Sequence, residues 1–253
     1  MMNRNTPFKD NFSRQSKSYA KFRPTYPAAL FSYLLQLCNK TDYMWDCATG
    51  NGQIAVPLSD YFKQIYATDI SQNQLAHAPQ ATNIEYSVQS AEHTNFPDNI
   101  FDLITVAQAI HWFDFSGFYD QVKRTIKSGG ILAIIGSGRL KLFPEGDRII
   151  DRLFNDFIGD YRDPELKYLD HQYQTIPFPF TDIEHPDFVN TVEWTFDQLV
   201  GYLNTWSVVQ HYEKAHQKNP ITLIADQLRE AWGVPLIRTV SFPIILRVAR
   251  IHQ

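Results

Sequence analysis

The chain has 253 residues, 44% hydrophobic and 20% charged, with a net charge of −4; this supplies the core of one large domain, with or without a cap, and excludes disordered and collagen-like chains. The mild acidity excludes the overall basic footprint of a protein that wraps a nucleic-acid backbone, and no apolar run approaches the roughly 20 residues that span a bilayer. The polar start, Met1 to Asp10, lacks the apolar core of a signal peptide, so the expectation is a cytoplasmic protein with a small-molecule partner and neither a nucleic-acid nor a membrane partner.

In chain order, the first legible element follows the loop "YAKFRPTYP", whose two prolines bar a helix through it; an apolar helix is expected from Ala28 to Cys38. From Asp42 to Ser137 short apolar runs alternate with helix-period segments, the signature of βαβ units around a parallel sheet. Strands are expected at Tyr43 to Cys47, Gln64 to Thr68, Ile84 to Val88, Phe101 to Val106 and Ile131 to Gly136. Between them, Pro57 predicts a kinked or late-starting helix, and Ser71 with Gln74 has the spacing of a capping box ahead of a helix stopped by Pro79. Asp114 is placed to cap a helix with the apolar face Phe115, Phe118, Tyr119, Val122 and Ile126, ended by Gly129 and Gly130.

Beyond residue 139 the character changes. Aromatics and prolines crowd in "YQTIPFPFTDIEHPDF" between two helix-like pieces, Glu145 to Phe157 and Phe196 to Glu213, as in an inserted cap. A helix from Pro220 to Trp232 and a strand from Leu236 to Ile251 are expected to return to the sheet, with Asp187 to Thr195 as a further strand. The expected organisation is an N-terminal segment and helix (1–40), a ligand-binding core (41–138), an inserted substrate cap (139–218) and a C-terminal helix and strand (219–253). Cys38 and Cys47 read as reduced thiols, and the eight scattered histidines show no metal-ligand spacing, so no metal is expected.

In such sheets the ligand sits beyond the carboxyl ends of the strands, where neighbouring loops converge. The first strand ends in Asp46 and a small-residue loop with Gly50 and Gly52, where glycines permit positive φ and close approach to the backbone. The second ends in Asp69 and Ile70, an acid about 20 residues on and suited to ribose hydroxyls. The third leads to Ser90, Ala91 and Glu92, within reach of an adenine edge, and the fourth to Ala107, Gln108, His111 and Trp112. A dinucleotide fingerprint would want a third glycine where Gln53 stands, which argues against a nicotinamide cofactor.

These strand ends, with "ATDIS", "PDNIFDLI" and "KSGGIL", resemble a class I S-adenosylmethionine-dependent methyltransferase; "SYAKFRPTYP", "AQAIHWFD" and "YLNTWS" further resemble the branch that includes the trans-aconitate methyltransferases. The resemblance implies a Rossmann-like, doubly wound, seven-stranded, mostly parallel α/β sheet with the cofactor across its first strands. It implies that Asp46 and the loop of Ala48, Gly50 and Gly52 face the methionine moiety, that Asp69 takes the ribose hydroxyls, and that Ile70, Ser90, Ala91 and Glu92 surround the adenine. Ala107 and Gln108 join this set, and Tyr19 and Arg23 fold over the cofactor, with Arg23 toward its carboxylate. Two positions depart from the family pattern. Ala48 stands where a glycine is usual, a replacement that suits only negative φ, and Ser90 where an aspartate is common.

A methyl on a sulfonium is already activated, so transfer requires alignment and exclusion of water. The implied reaction is O-methylation of a small carboxylic acid, which needs no base. For a hydroxyl or amine acceptor the candidate base is His111, beside Trp112, which with Tyr202 and Trp206 would line the substrate pocket. The alternative is a nucleoside-binding protein that has lost turnover.

Overall fold

The computed structural model describes residues 23–252. Helix α1 (Ala28–Leu37) precedes five strands of βα character: β1 (Tyr43–Cys47), β2 (Gln64–Asp69), β3 (Ile84–Val88), β4 (Phe101–Ala107) and β5 (Ile126–Ser137). Among them lie the short helices α2 (Ala55–Leu58) and α3 (Gln72–Leu75), a 3-10 turn (Ile110–Trp112) and α4 (Phe115–Thr125). The strand order is β3-β2-β1-β4-β5-β7-β6, where β6 is Phe188–Thr195 and β7 is Ile237–Ile251. β1 to β5 pair in parallel, and β7 runs antiparallel to both β5 and β6. The order reverses at β1, whose neighbours β2 and β4 lead away in opposite directions; that is where such a sheet opens a crevice.

The apolar runs follow from burial on both faces. β4 is buried at six of its seven positions, against one core around Trp45, Phe101 and Phe118 and another around Leu34, Ile65 and Leu103. Polar anchors fix the register. Trp45 Nε1 donates to Thr68 Oγ1 at 2.8 Å, tying β1 to β2, and buried Asp102 accepts both the Asp42 and the Tyr43 amides at 3.0 Å, with Lys127 Nζ at 2.7 Å on its other oxygen.

α2 is short and starts late, as Pro57 requires, and Ser71 caps α3 through the Gln74 amide. Elsewhere the boundaries depart from expectation. Asp114 occupies the cap position of α4 without a side-chain cap bond. That helix ends at Thr125 rather than at Gly129 and Gly130, because the Asn99 and Ile100 amides take the carbonyls of Arg124 and Thr125. The chain is therefore already strand at Ile126, and the glycines form an irregularity within β5, where Phe101 pairs with Ile126 but Leu103 with Ile131.

The segment expected as a cap, 139–218, contains β6, which is a strand of the sheet. Its helices are α5 (Pro144–Arg152), continued by a π-helical turn to Ile158, α6 (Lys167–Asp170), α7 (Phe196–Leu203) and α8 (Ser207–His216). α5 with its π-helical turn, α7 and α8 share one apolar cluster with α9 (Ala225–Trp232), from the part expected to return to the core: Leu153, Leu199 and Val209 pack with Leu228 and Trp232, whereas Tyr168 and Leu169 of α6 pack against the core around Trp45. The single helix expected over Phe196 to Glu213 is broken at 204–206, where Thr205 Oγ1 donates back to Tyr202 O at 2.7 Å and Trp206 is extended. The helix expected from Pro220 likewise splits into a 3-10 turn and α9.

A methyl group at Gly130 would lie 2.9 Å from Lys127 O and 3.0 Å from Phe101 O, both backbone atoms. Gly130→Ala should therefore lower the stability of the fold by about 2 kcal/mol in urea denaturation; an unchanged midpoint would show that the β5 irregularity can relax.

Candidate active site

The loop after β1 is built around one carboxylate. Asp46 is buried; its Oδ2 accepts Thr49 Oγ1 at 2.5 Å and the Ala55 amide at 3.2 Å, and its Oδ1 accepts Thr105 Oγ1 from β4 at 2.7 Å. Desolvation pushes this carboxyl up to about 6, against the three hydrogen bonds that favour its charged form. Wrapping the chain around it takes three left-handed residues: Ala48 at φ 53°, Gly50 at 58° and Gly52 at 84°. For Ala48 this overturns the negative φ under which alanine would be unstrained. Gly50 has open space where a Cβ would project, whereas at Gly52 a Cβ would meet Tyr86 Oη at 2.9 Å. Gly52 is thus a packing glycine facing β3 and does not line the cleft.

The strand ends enclose a cleft of about 240 Å³. Asp69 stands at its side, with Oδ2 accepting the Gly50 amide at 2.9 Å and Oδ1 the Ser71 amide at 2.8 Å. Asp46, Ala48, Ile70, Ser90, Ala91, Glu92, Ala107 and Gln108, all expected from the sequence, also line it, and Ile70 leaves 37% of its surface exposed there. Glu92 has a second task, since its Oε1 accepts the Asp114 amide at 3.1 Å at the start of α4. Tyr26, Asn51, Gln74, Gln89 and Phe113 line the cleft too and were not singled out. Phe113 and Gln89 each adjoin a residue that was, which is the signal available for them.

A second cavity of about 480 Å³ adjoins the first, and Gln108 and Trp112 border both. Its walls carry Tyr202 and Trp206, both named from the sequence, together with Arg139, Phe154 and Arg162, which were not. Arg23 lies here and not in the cleft: its Nε donates to Thr205 Oγ1 at 3.1 Å, and its guanidinium lies 5.2 Å from the Tyr202 ring centroid. The expectation that Arg23 folds over the cofactor is corrected accordingly, the break between α7 and α8 having turned Thr205 toward it. Tyr19 falls outside the described residues.

His111 lines the second cavity with its ring buried and its Nδ1 3.0 Å from the buried Tyr173 hydroxyl. Burial first, and the Arg162 charge second, hold its pKa down at about 3. A ring this weakly basic is a poor general base, which speaks against the catalytic role considered for it. Among the described residues no group of three or more His, Cys, Asp or Glu side chains is arranged to hold a metal, and no helix is long and apolar enough to cross a membrane.

Three expectations follow. Ala48→Gly should raise stability by about 1 kcal/mol in thermal or urea unfolding, by relieving a left-handed alanine; a loss would mean that this φ is not held in solution. The His111 ring should stay neutral between pH 8 and 5 in an NMR titration, and a midpoint near its ordinary 6.5 would place it in solvent. Because its folded pKa lies below its unfolded one, the stability His111 contributes is complete above about 6.5 and declines as pH falls toward 3. Asp46 has the opposite sign, its contribution being complete below 3.8 and lost as pH rises through about 6.

Residues 45–134 match the methyltransferase domain family. A Dictyostelium discoideum protein named as a candidate methyltransferase is 33% identical over 97% of this chain and 96% of its own. A Mycobacterium tuberculosis protein, named as an uncharacterised methyltransferase, is 27% identical over 73% of this chain and 70% of its own. A solved structure from Anaeromyxobacter dehalogenans, described as a candidate type II methyltransferase, superposes with a TM-score of 0.86 at 34% identity, covering 91% of this chain and 99% of that one. With the strand order and the cleft at its reversal point, these matches show that the chain belongs to the class I S-adenosylmethionine-dependent methyltransferases.

Proposed function

We propose that this enzyme O-methylates a small carboxylic acid, as its resemblance to the trans-aconitate methyltransferase branch suggests, with the cofactor in the cleft and the acceptor in the adjoining cavity. The cleft suits an adenosyl ligand on its own geometry. The open space at Gly50 admits a ligand against the backbone, the Asp69 carboxylate beside it retains lone pairs for ribose hydroxyls, and the exposed face of Ile70 offers apolar cover for a base, with Ser90 and Glu92 at its edge. When bound, S-adenosylmethionine supplies a methyl on positively charged sulfur, and transfer to a carboxylate forms a C–O bond as the C–S bond breaks, with no proton to remove.

The observation that carries the acid reading is the charge of the second cavity. Among the described residues that line it, Arg23, Arg139 and Arg162 stand against a single carboxylate, Asp170. Asp170 pairs with Arg162, and Arg139 pairs with Asp151 at 3.3 Å in an exposed, solvent-screened contact. Among the described lining residues arginines outnumber carboxylates, a balance that favours an anionic acceptor over an amine. His111 points the same way: a ring whose pKa is held at about 3 cannot usefully deprotonate a hydroxyl, and a carboxylate asks for no base. Its bond to Tyr173 suits it to shaping the wall. Phe154, Trp206 and Leu169 give that wall apolar surface, which receives the acceptor's carbon skeleton and excludes water.

The test is transfer of labelled methyl to a panel of mono-, di- and tricarboxylic acids, alcohols and amines. Alkali-labile methyl esters should form from acids, with a turnover number that stays flat from pH 6.5 to 8; product from amines or alcohols alone would overturn the reading. Asp69→Ala should weaken binding of S-adenosylhomocysteine by roughly 1.5–3 kcal/mol in calorimetry, and an unchanged affinity in the folded variant would place the ribose elsewhere.

A further inference from the structure

We propose that Gln108 holds the acceptor's carboxylate in line with the methyl donor, a proposal that rests on the carboxylic-acid reading above. Gln108 is the first residue beyond β4, and it borders the cleft, the second cavity and a small third cavity that also touches Arg23 and Ser137. Its main chain is fixed, since its amide donates to Ile135 O of β5 at 2.8 Å. Its φ of 59° is one that glycine or asparagine would adopt more easily, so the residue is held in a strained conformation at the point where the two large cavities meet.

The three carboxylates presented by the strand ends each hold protein donors. Asp46 is consumed by Thr49, Ala55 and Thr105, Asp69 takes the Gly50 and Ser71 amides, and Glu92 takes that of Asp114. The Gln108 side-chain amide, in contrast, makes no hydrogen bond within the described residues. An amide offers two N–H donors on one side and a carbonyl acceptor on the other. Donation to one carboxylate oxygen of the acceptor fixes the plane of the group and leaves the second oxygen's lone pair directed at the cleft. Arg23, on the neighbouring wall, adds charge without a fixed angle to the reacting oxygen. A neutral donor at the junction orients the nucleophile while drawing less electron density from it than a cation would.

The test reads binding rather than turnover. The protein is loaded with S-adenosylhomocysteine and titrated calorimetrically with phenylacetate, and separately with glutarate, as carboxylate probes. Wild type should bind at least one of them. Gln108→Leu removes the donors and should weaken that probe about tenfold, the effect of one lost hydrogen bond to a charged group. Gln108→Glu places a like charge against the probe and should weaken it about a hundredfold or more. Gln108→Asn suits the left-handed φ and guards against misfolding, yet its amide falls one methylene short, so it should also weaken the probe. S-adenosylhomocysteine affinity is measured for each variant as well, and the probe should weaken at least about fivefold more than S-adenosylhomocysteine does. Equal probe affinity in wild type and all variants would overturn the role of Gln108 and leave the acid reading standing, as would loss of S-adenosylhomocysteine affinity in step with the probe. If the loaded wild type binds neither carboxylate, the acid reading and this proposal fall together.

Discussion

A single buried carboxylate sets the geometry on which the cleft depends. Asp46 reaches its own loop through Thr49, the start of α2 through the Ala55 amide and the neighbouring strand β4 through Thr105. An ionised group without solvent is tolerated only when hydrogen-bond donors meet it, and three donors meet this one. The chain must curl tightly to bring those donors in, which is why left-handed residues recur at 48, 50 and 52. That curl presents the Gly50 amide to Asp69 on β2, so the second acidic strand end takes its position from the first. Remove the central acceptor and both Thr hydroxyls lose their partner at once.

The segment leaving β4 divides the molecule's chemistry between two cavities. Ala107 faces the cleft, Gln108 and Trp112 border both spaces, and His111 faces only the second. The His111 ring stacks 6.0 Å from Tyr173, whose carbonyl accepts Arg247 Nη1 at 3.2 Å, and Arg247 pairs in turn with Asp182. This chain of contacts fastens the stretch 173–182 onto β7. The wall behind the second cavity is therefore tied to the sheet core, which gives that cavity a fixed shape.

The parallel core was legible because each of its strands is a short apolar run closed by a turn signal, and because topology alone sends the residue at each strand end to one shared crevice. Asp46, Gly50, Asp69 and Ser90 could be named without any knowledge of tertiary contacts. What escaped depended on partners distant in sequence. The end of α4 is decided by the Asn99 and Ile100 amides and not by the glycines that follow it. The destination of Arg23 is decided by Thr205, 182 residues away, at a helix break that periodicity does not show. The second cavity draws its walls from residue 23, the β4 exit, the end of β5 and the cap helices, and no window of sequence contains them together.

Backbone strain marks the same region. The described chain has six non-glycine residues at positive φ, and four of them, Ala48, Gln108, Gln172 and Tyr173, line the two large cavities or bond to a residue that does. Glycine would relax each position but would surrender a side chain. At Tyr173 the loss would be the hydroxyl that holds His111, and at Gln108 the amide between the two spaces. Ala48 is the exception, offering only a methyl that takes part in no hydrogen bond. At Gln108 and Tyr173 the strained residue carries a polar side chain to the cavity wall, and the inference runs from the observed outliers to the site. The left-handed backbone of Gln108 stands where the two large cavities meet.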